Sequence, residues 1–151
     1  MNNIQMYISV WLSHRKALQQ LVELFTDEHL SYKPWENAMS LSELVLHIVG
    51  STHMFSGIVK EGERKPADQV KSVASASELK SIVKELTDAT LANLESLSAA
   101  ELERGVTFAS MKMSGRALLE MAKEHEIHHK GQVFTYARLL GLDNLPFFIS
   151  R

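Results

Sequence analysis

The sequence predicts an all-α protein built as a four-helix bundle, and three observations carry that prediction. Apolar residues recur at helical spacing through most of the 151 residues. Serines stand at the starts of periodic runs: Ser40, with Glu43 three residues on as in a capping box, then Ser77 and Ser114. Four long segments with this much apolar surface must bury it against one another.

The first segment, 4–29, places Ile4, Ile8, Trp11, Leu12, Leu18, Leu21, Val22 and Phe25 on one side of a helix. Arg15, Lys16, Gln19, Gln20 and Glu23 fall mostly on the other. Ser31 to Trp35 break the pattern, because Pro34 disfavours helix at Lys33. Ser40 opens a second helix over about 41–60. It is apolar nearly all round, as a helix buried on several sides is, and His47 lies inside it. Residues 61–76, with Gly62, Pro66 and mixed charges, read as an exposed loop. Ser77 and Glu78 start a third helix over about 78–97. Residues 98–113 fit no single period; Val106 to Phe108 and Met111 to Met113 look like a short extended excursion around Ala109-Ser110, a hairpin. Ser114 caps a long final helix over about 115–140, with Gly141 as its C′ residue and Pro146 preventing its resumption. With no repeat or linker, 1–151 reads as one domain.

Composition excludes several function classes. With 16 basic and 18 acidic residues the net charge is −2, which argues against a nucleic-acid partner. No apolar run approaches the ~20 residues needed to span a bilayer, so no membrane partner is expected. The N-terminus lacks a signal-peptide layout, because Arg15 and Lys16 follow the run Ile8 to Leu12 instead of preceding it; a cytoplasmic protein is expected. There is no cysteine, hence no disulfide, thiolate ligand or cysteine nucleophile.

Chemistry concentrates in Glu124 to Gln132, which holds three of the seven histidines. His125 and His129 are four residues apart, one helical turn on one face, a spacing that can hold a divalent metal. With ~100° per residue, His129 lies ~40° to one side of His125, Gln132 ~20° to the other and His128 ~60° off. Met121, Tyr136 and Leu139 share the stripe, so the histidine face reads as the core face. Lys123, Glu126, Lys130 and Arg138 read as the solvated side. Any single histidine is most simply an ordinary hydrogen-bonded one. A pair on a core face, with His47 from another buried helix as a third nitrogen, points to an open three-histidine metal site. Ser51, one turn beyond His47, keeps the plain hydrogen-bonded alternative open.

The same string also satisfies H-E-x-x-H from His125 to His129, with Glu126 as a protease's general base. The context is wrong: after His129 there is no His or Glu, and Asp143 is the only acid. Glu126 then reads as a surface residue or a group bonded to the metal site from outside. His14, His29 and His53 show no ligand spacing. Trp11 and Trp35 read as core or interface residues. The apolar end Leu145 to Ile149 is expected to fold back onto the bundle or to cover a dimer interface. Tyr136 and Gln132 line the site face.

The run from Glu124 through Gly141 resembles the C-terminal signature of the DinB/YfiT-like superfamily: His, three residues, His, a basic residue, Gly, Gln, then Tyr and Leu-Arg beyond. Lys130 stands where Arg is more usual. The segment Trp35 to Phe55 resembles that family's second helix. The resemblance covers essentially the whole chain. It implies an up-down-down-up four-helix bundle, often a homodimer, with zinc or nickel held by His47, His125 and His129. Some members are thiol S-transferases and mycothiol-dependent isomerases are relatives, which implies small-molecule thiol and electrophile partners. A metal-binding stress-response protein without turnover and a metal-free dimeric interaction module are the alternatives.

Overall fold

Among the described residues, five α-helices and one hairpin follow in order: α1 (Asn3–Val22), α2 (Leu41–Glu61), α3 (Ala76–Glu95), α4 (Ala99–Glu103), β1 (Gly105–Phe108), β2 (Met111–Ser114) and α5 (Gly115–Leu139). The computed structural model describes residues 3–67 and 69–151. The four long helices form the bundle. Their directions can be read from the side chains that meet. Tyr7, Trp11 and His14 of α1 bond to Leu119, Glu126 and Lys130 of α5, so these helices run parallel. His53, Ser56 and Lys60 of α2 bond to Thr90, Asn93 and Ser96 at α3, again parallel. Thr52 of α2 bonds to Glu126, while Tyr136 near the end of α5 bonds to Met39 just before α2, so α2 and α5 are antiparallel. The connectivity is therefore up-down-down-up. Parallel α2 and α3 require the chain to travel back along the bundle, which the 62–75 connection does.

Side-chain caps set the helix starts. Ser40 accepts from the Glu43 amide at 3.3 Å while Glu43 accepts from the Ser40 amide at 2.7 Å, the reciprocal box expected. Ser114 caps α5 as anticipated. Gly141 follows α5 with φ of 78°, the left-handed conformation glycine adopts without a Cβ penalty. Three boundaries differ from the sequence reading. The first helix stops at Val22 rather than 29, because Thr26 and His29 cap a separate 3-10 turn, Asp27–His29. The third begins at Ala76, capped by Ser75 and not Ser77, because Glu78 sits three residues after Ser75 and donates its amide to it. It ends at Glu95, and α4, with Ser98 as its cap, precedes the hairpin. The hairpin itself is as expected, Phe108 pairing with Met111 around Ala109 and Ser110, both at positive φ as a tight two-residue turn demands.

The core is divided. One apolar cluster gathers Leu18, Leu21, Leu44, Ile48, Leu79, Val133 and Phe134; the other gathers Trp11, Phe55, Ile58, Leu94, Leu118 and Leu119. Between them, on all four long helices, lie buried polar residues: Arg15, Thr52, Thr87 and Glu126. The C-terminal segment does return to the bundle. Leu145 packs on the first cluster, Ser150 donates its amide to the Ser13 carbonyl at 2.8 Å, and the Lys130 ammonium donates to the Phe148 carbonyl. The rings of Phe147 and Phe148 stay outside, 68% and 55% exposed. Trp11 is buried as expected, whereas Trp35 is 63% exposed and belongs to no core. No described helix is long and apolar enough to cross a membrane.

Candidate metal centre

His125 and His129 stand one turn apart on α5, and α2 brings His47 to them. Each of the three offers a ring nitrogen, and these atoms lie within 4.8 Å of one another. The His47 and His125 Nε2 atoms are 3.0 Å apart. The His129 Nδ1 faces the Gln132 Oε1 at 2.7 Å. That oxygen only accepts, so Nδ1 is the donor in this contact. Such an outer partner is how a metal-bound imidazole is usually oriented. Burial, then His129 and His47, push the His125 pKa down to about 4. Burial and then His129 lower that of His47. Those two imidazoles are therefore neutral near pH 7, the state a ligand requires. Among the described residues no acid joins the cluster. Three convergent imidazole nitrogens suit a divalent cation with an open position better than a closed structural site, which takes four protein ligands. His128 is exposed and stacks only its ring edge on His129, at 4.8 Å between centroids, outside the set. Phe55 packs edge-on against His125 and Phe108 against Phe55, so the hairpin walls one side of the centre.

The inward face of α5 is offset by about a quarter turn from the sequence expectation, although Tyr136 is buried and Arg138 exposed as expected. The buried arc runs through Leu118, Ala122, Glu126, Lys130, Val133 and Ala137, and the histidines sit at its edge, half-exposed. His47 is likewise exposed, so its place in an apolar helix does not bury it. Glu126 is 0% exposed, and so is Arg15, which the α1 pattern had put outside. The Glu126 Oε1 accepts from Arg15 Nε at 2.7 Å. Its Oε2 accepts from Arg15 Nη2 at 2.8 Å, Trp11 Nε1 at 2.9 Å and Thr52 Oγ1 at 2.8 Å. Arg15 also donates to Thr87 Oγ1 at 2.9 Å. Burial pushes the Glu126 carboxyl up, but the Arg15 guanidinium and these hydrogen bonds outweigh it and hold the group below its ordinary range. Glu126 is thus a saturated anion turned away from the histidine nitrogens, which removes the base that an H-E-x-x-H protease needs.

Lys130 is also buried, and burial lowers its pKa to about 8. Its ammonium donates to His14 Nδ1 at 2.8 Å and to the C-terminal segment. The histidines without ligand spacing have local duties: His14 receives Lys130, His29 caps its 3-10 turn, and His53 approaches Thr90 at 3.4 Å. Sequence reasoning missed Arg15, Glu126, Thr52 and Thr87. A signal existed: Arg15 interrupts an apolar stripe through Trp11, Leu18 and Val22, and Glu126 interrupts one through Leu118, Ala122, Val133 and Ala137.

A cleft of about 650 Å³ opens between α2, Leu86 of α3 and the 62–75 connection. Leu46, Gly50, Met54, Ile58 and Val70 line it. The three histidines do not, but Gly50 follows His47 by three residues and so lies on the same face of α2.

The fold is a helical bundle with a three-histidine cluster that could hold a metal ion, and the sequence places the chain in a family. Residues 1–149 match the model of the DinB family, and the chain belongs to that family. It is 43% identical over 147 residues to the uncharacterized protein YjoA of Bacillus subtilis (strain 168), covering 95% of each. The crystal structure of the DinB-like B. subtilis YjoA superposes with a TM-score of 0.84 at 39% identity, over 97% of this chain and 99% of that one. B. subtilis YfiT, described as a probable metal-dependent hydrolase with an unusual four-helix bundle topology, superposes with a TM-score of 0.74 at 20% identity, over 93% and 89%.

Proposed function

We propose that the chain is a metal-dependent transferase that activates a low-molecular-weight thiol for attack on a small electrophile, with zinc or nickel held by His47, His125 and His129. The observation that supports this most is the donor set: convergent imidazoles with no carboxylate among them. A bound divalent ion supplies Lewis acidity, lowering the pKa of a thiol at its open position. Neutral donors leave the ion's charge uncompensated, which favours an anionic sulfur. The chain has no cysteine to compete for that position. Gln132 orients His129, and Phe55 and Phe108 keep water from one side. The cleft along α2 has a volume suited to a small electrophile. In the reaction the thiol loses its proton to solvent, sulfur bonds to the electrophilic carbon, and the leaving group departs with the electron pair. A homodimer and a cytoplasmic setting are part of the proposal.

The same open position suits water, the chemistry the YfiT description attaches to that protein. One set of measurements separates these readings. Protein purified without a histidine tag is expected to carry a stoichiometric divalent metal that His47→Ala and His125→Ala lose; metal retained in both variants overturns the site. Loaded protein is then given several thiols and a chromogenic electrophile. A metal- and thiol-dependent rate is expected. A thiol-independent, metal-dependent ester hydrolysis moves the assignment to a hydrolase, and no metal-dependent rate moves it to a metal-binding protein without turnover.

A further inference from the structure

We infer, resting on the metal site proposed above, that the buried Arg15–Glu126 pair positions that site by setting the register of α5 against α2. The ligands are divided between those two helices, so metal affinity depends on how they are rotated and slid relative to each other. Most of what packs them is apolar, and apolar contact is non-directional. The polar layer is different. It lies at one level of all four helices, between the two apolar clusters. Its bonds cross between helices: Glu126 of α5 to Trp11 and Arg15 of α1 and to Thr52 of α2, and Arg15 onward to Thr87 of α3. Glu126 follows His125 directly, and Thr52 follows His47 by five residues. The Thr52–Glu126 bond therefore ties the two ligand-bearing helices together beside the ligands.

Magnitudes favour register over stability as the role. A buried ion pair stabilises a fold weakly, if at all, compared with apolar residues of the same shape, and its best-attested use is to specify register. A helix rotation of about 20° carries a nitrogen ~6 Å from the axis through ~2 Å, a whole metal–nitrogen bond length. An apolar layer tolerates such a rotation; a carboxylate bonded by three other side chains does not.

The test compares three variants with wild type, all below their melting temperatures. Arg15→Met/Glu126→Leu replaces the pair with apolar residues of similar size. Thr52→Val removes the bond between α2 and α5, together with a local one to the Ile48 carbonyl, at nearly constant shape, and carries the test if the double variant fails to fold. Leu79→Ala destabilises α3 in the first apolar cluster, away from the layer. Metal affinity is measured by chelator competition, and ligand geometry by the visible absorption of the cobalt-loaded protein. Thr52→Val and the double variant are expected to bind metal about tenfold more weakly or worse, at the lower end of the loss seen when groups supporting metal ligands are removed, with an altered cobalt spectrum. Leu79→Ala is expected to melt earlier yet keep wild-type affinity and spectrum. Folded layer variants with wild-type affinity and spectrum overturn the inference alone, as does a Leu79→Ala protein that loses affinity equally. A wild-type chain that takes up no metal overturns the metal site, and the positioning role with it.

Discussion

His125 and Glu126 are consecutive residues on one helix, yet they occupy opposite kinds of environment. His125 stands at a half-exposed edge where nitrogens converge with no acid among them. Glu126 is fully buried, with both oxygens occupied by donors from two other helices. One turn position separates a group left free to bind something from a group with nothing left to bind. The contrast shows how a bundle divides labour: the helix edge presents unsatisfied donors to solvent and ligand, while the inward arc spends its polar groups on structure. It also explains why the H-E-x-x-H spacing is chemically empty here, since its glutamate is already consumed.

The largest expected effect breaks the histidine side of this contrast. His125→Ala should abolish essentially all metal binding, read by elemental analysis. Chelation should then lower the melting temperature of wild type but not of the variant, because a ligand present at ~1,000 times its Kd stabilises the native state by about 4 kcal/mol. The next strikes the other side. Glu126→Ala leaves the Arg15 guanidinium buried and unpaired, a loss of about 3–5 kcal/mol. A fall in melting temperature of roughly 10 °C should follow, at ~2–4 °C per kcal/mol for a chain of this size. A Glu126→Ala protein as stable as wild type would show that the carboxylate is not holding the layer.

Smaller effects sharpen the comparison by probing how tightly the frame is set. At Gly115, where α5 begins, a Cβ would lie 2.6 Å from the Glu101 carbonyl oxygen and 2.8 Å from Val59 Cγ1. Gly115→Ala should cost about 1–3 kcal/mol, as overpacking does, measured by urea unfolding. Ser40→Ala, at the start of the helix that carries His47, should cost about 1 kcal/mol through its lost cap. The Ser40 amide, then its hydroxyl, hold the Glu43 carboxyl below its ordinary range. A lowered folded pKa means that this half of the box contributes above the unfolded carboxyl pKa and is lost as pH falls through the lowered value. Ser40→Ala keeps the amide and loses only the hydroxyl's share, so the wild-type advantage over it should shrink slightly on acidification.

Sequence alone determined the local features: four long helices, the capping box at Ser40, the cap at Ser114, the turn at Ala109-Ser110 and the one-turn spacing of His125 and His129. Each depends on residues a few positions apart, where helical periodicity and backbone hydrogen bonding act directly. The histidine cluster was legible in part: His125 and His129 stand one turn apart, but the second helix offers both His47 and His53, and the fold decides that His47 is the one that meets them. Tertiary structure decided which arc of α5 turns inward. A charge on a helix reads as solvated until its partner is known, and the partner of Glu126 is Arg15, 111 residues away. Only when the bundle brings α1, α2 and α5 together does burying that carboxylate cost less than exposing the apolar residues around it.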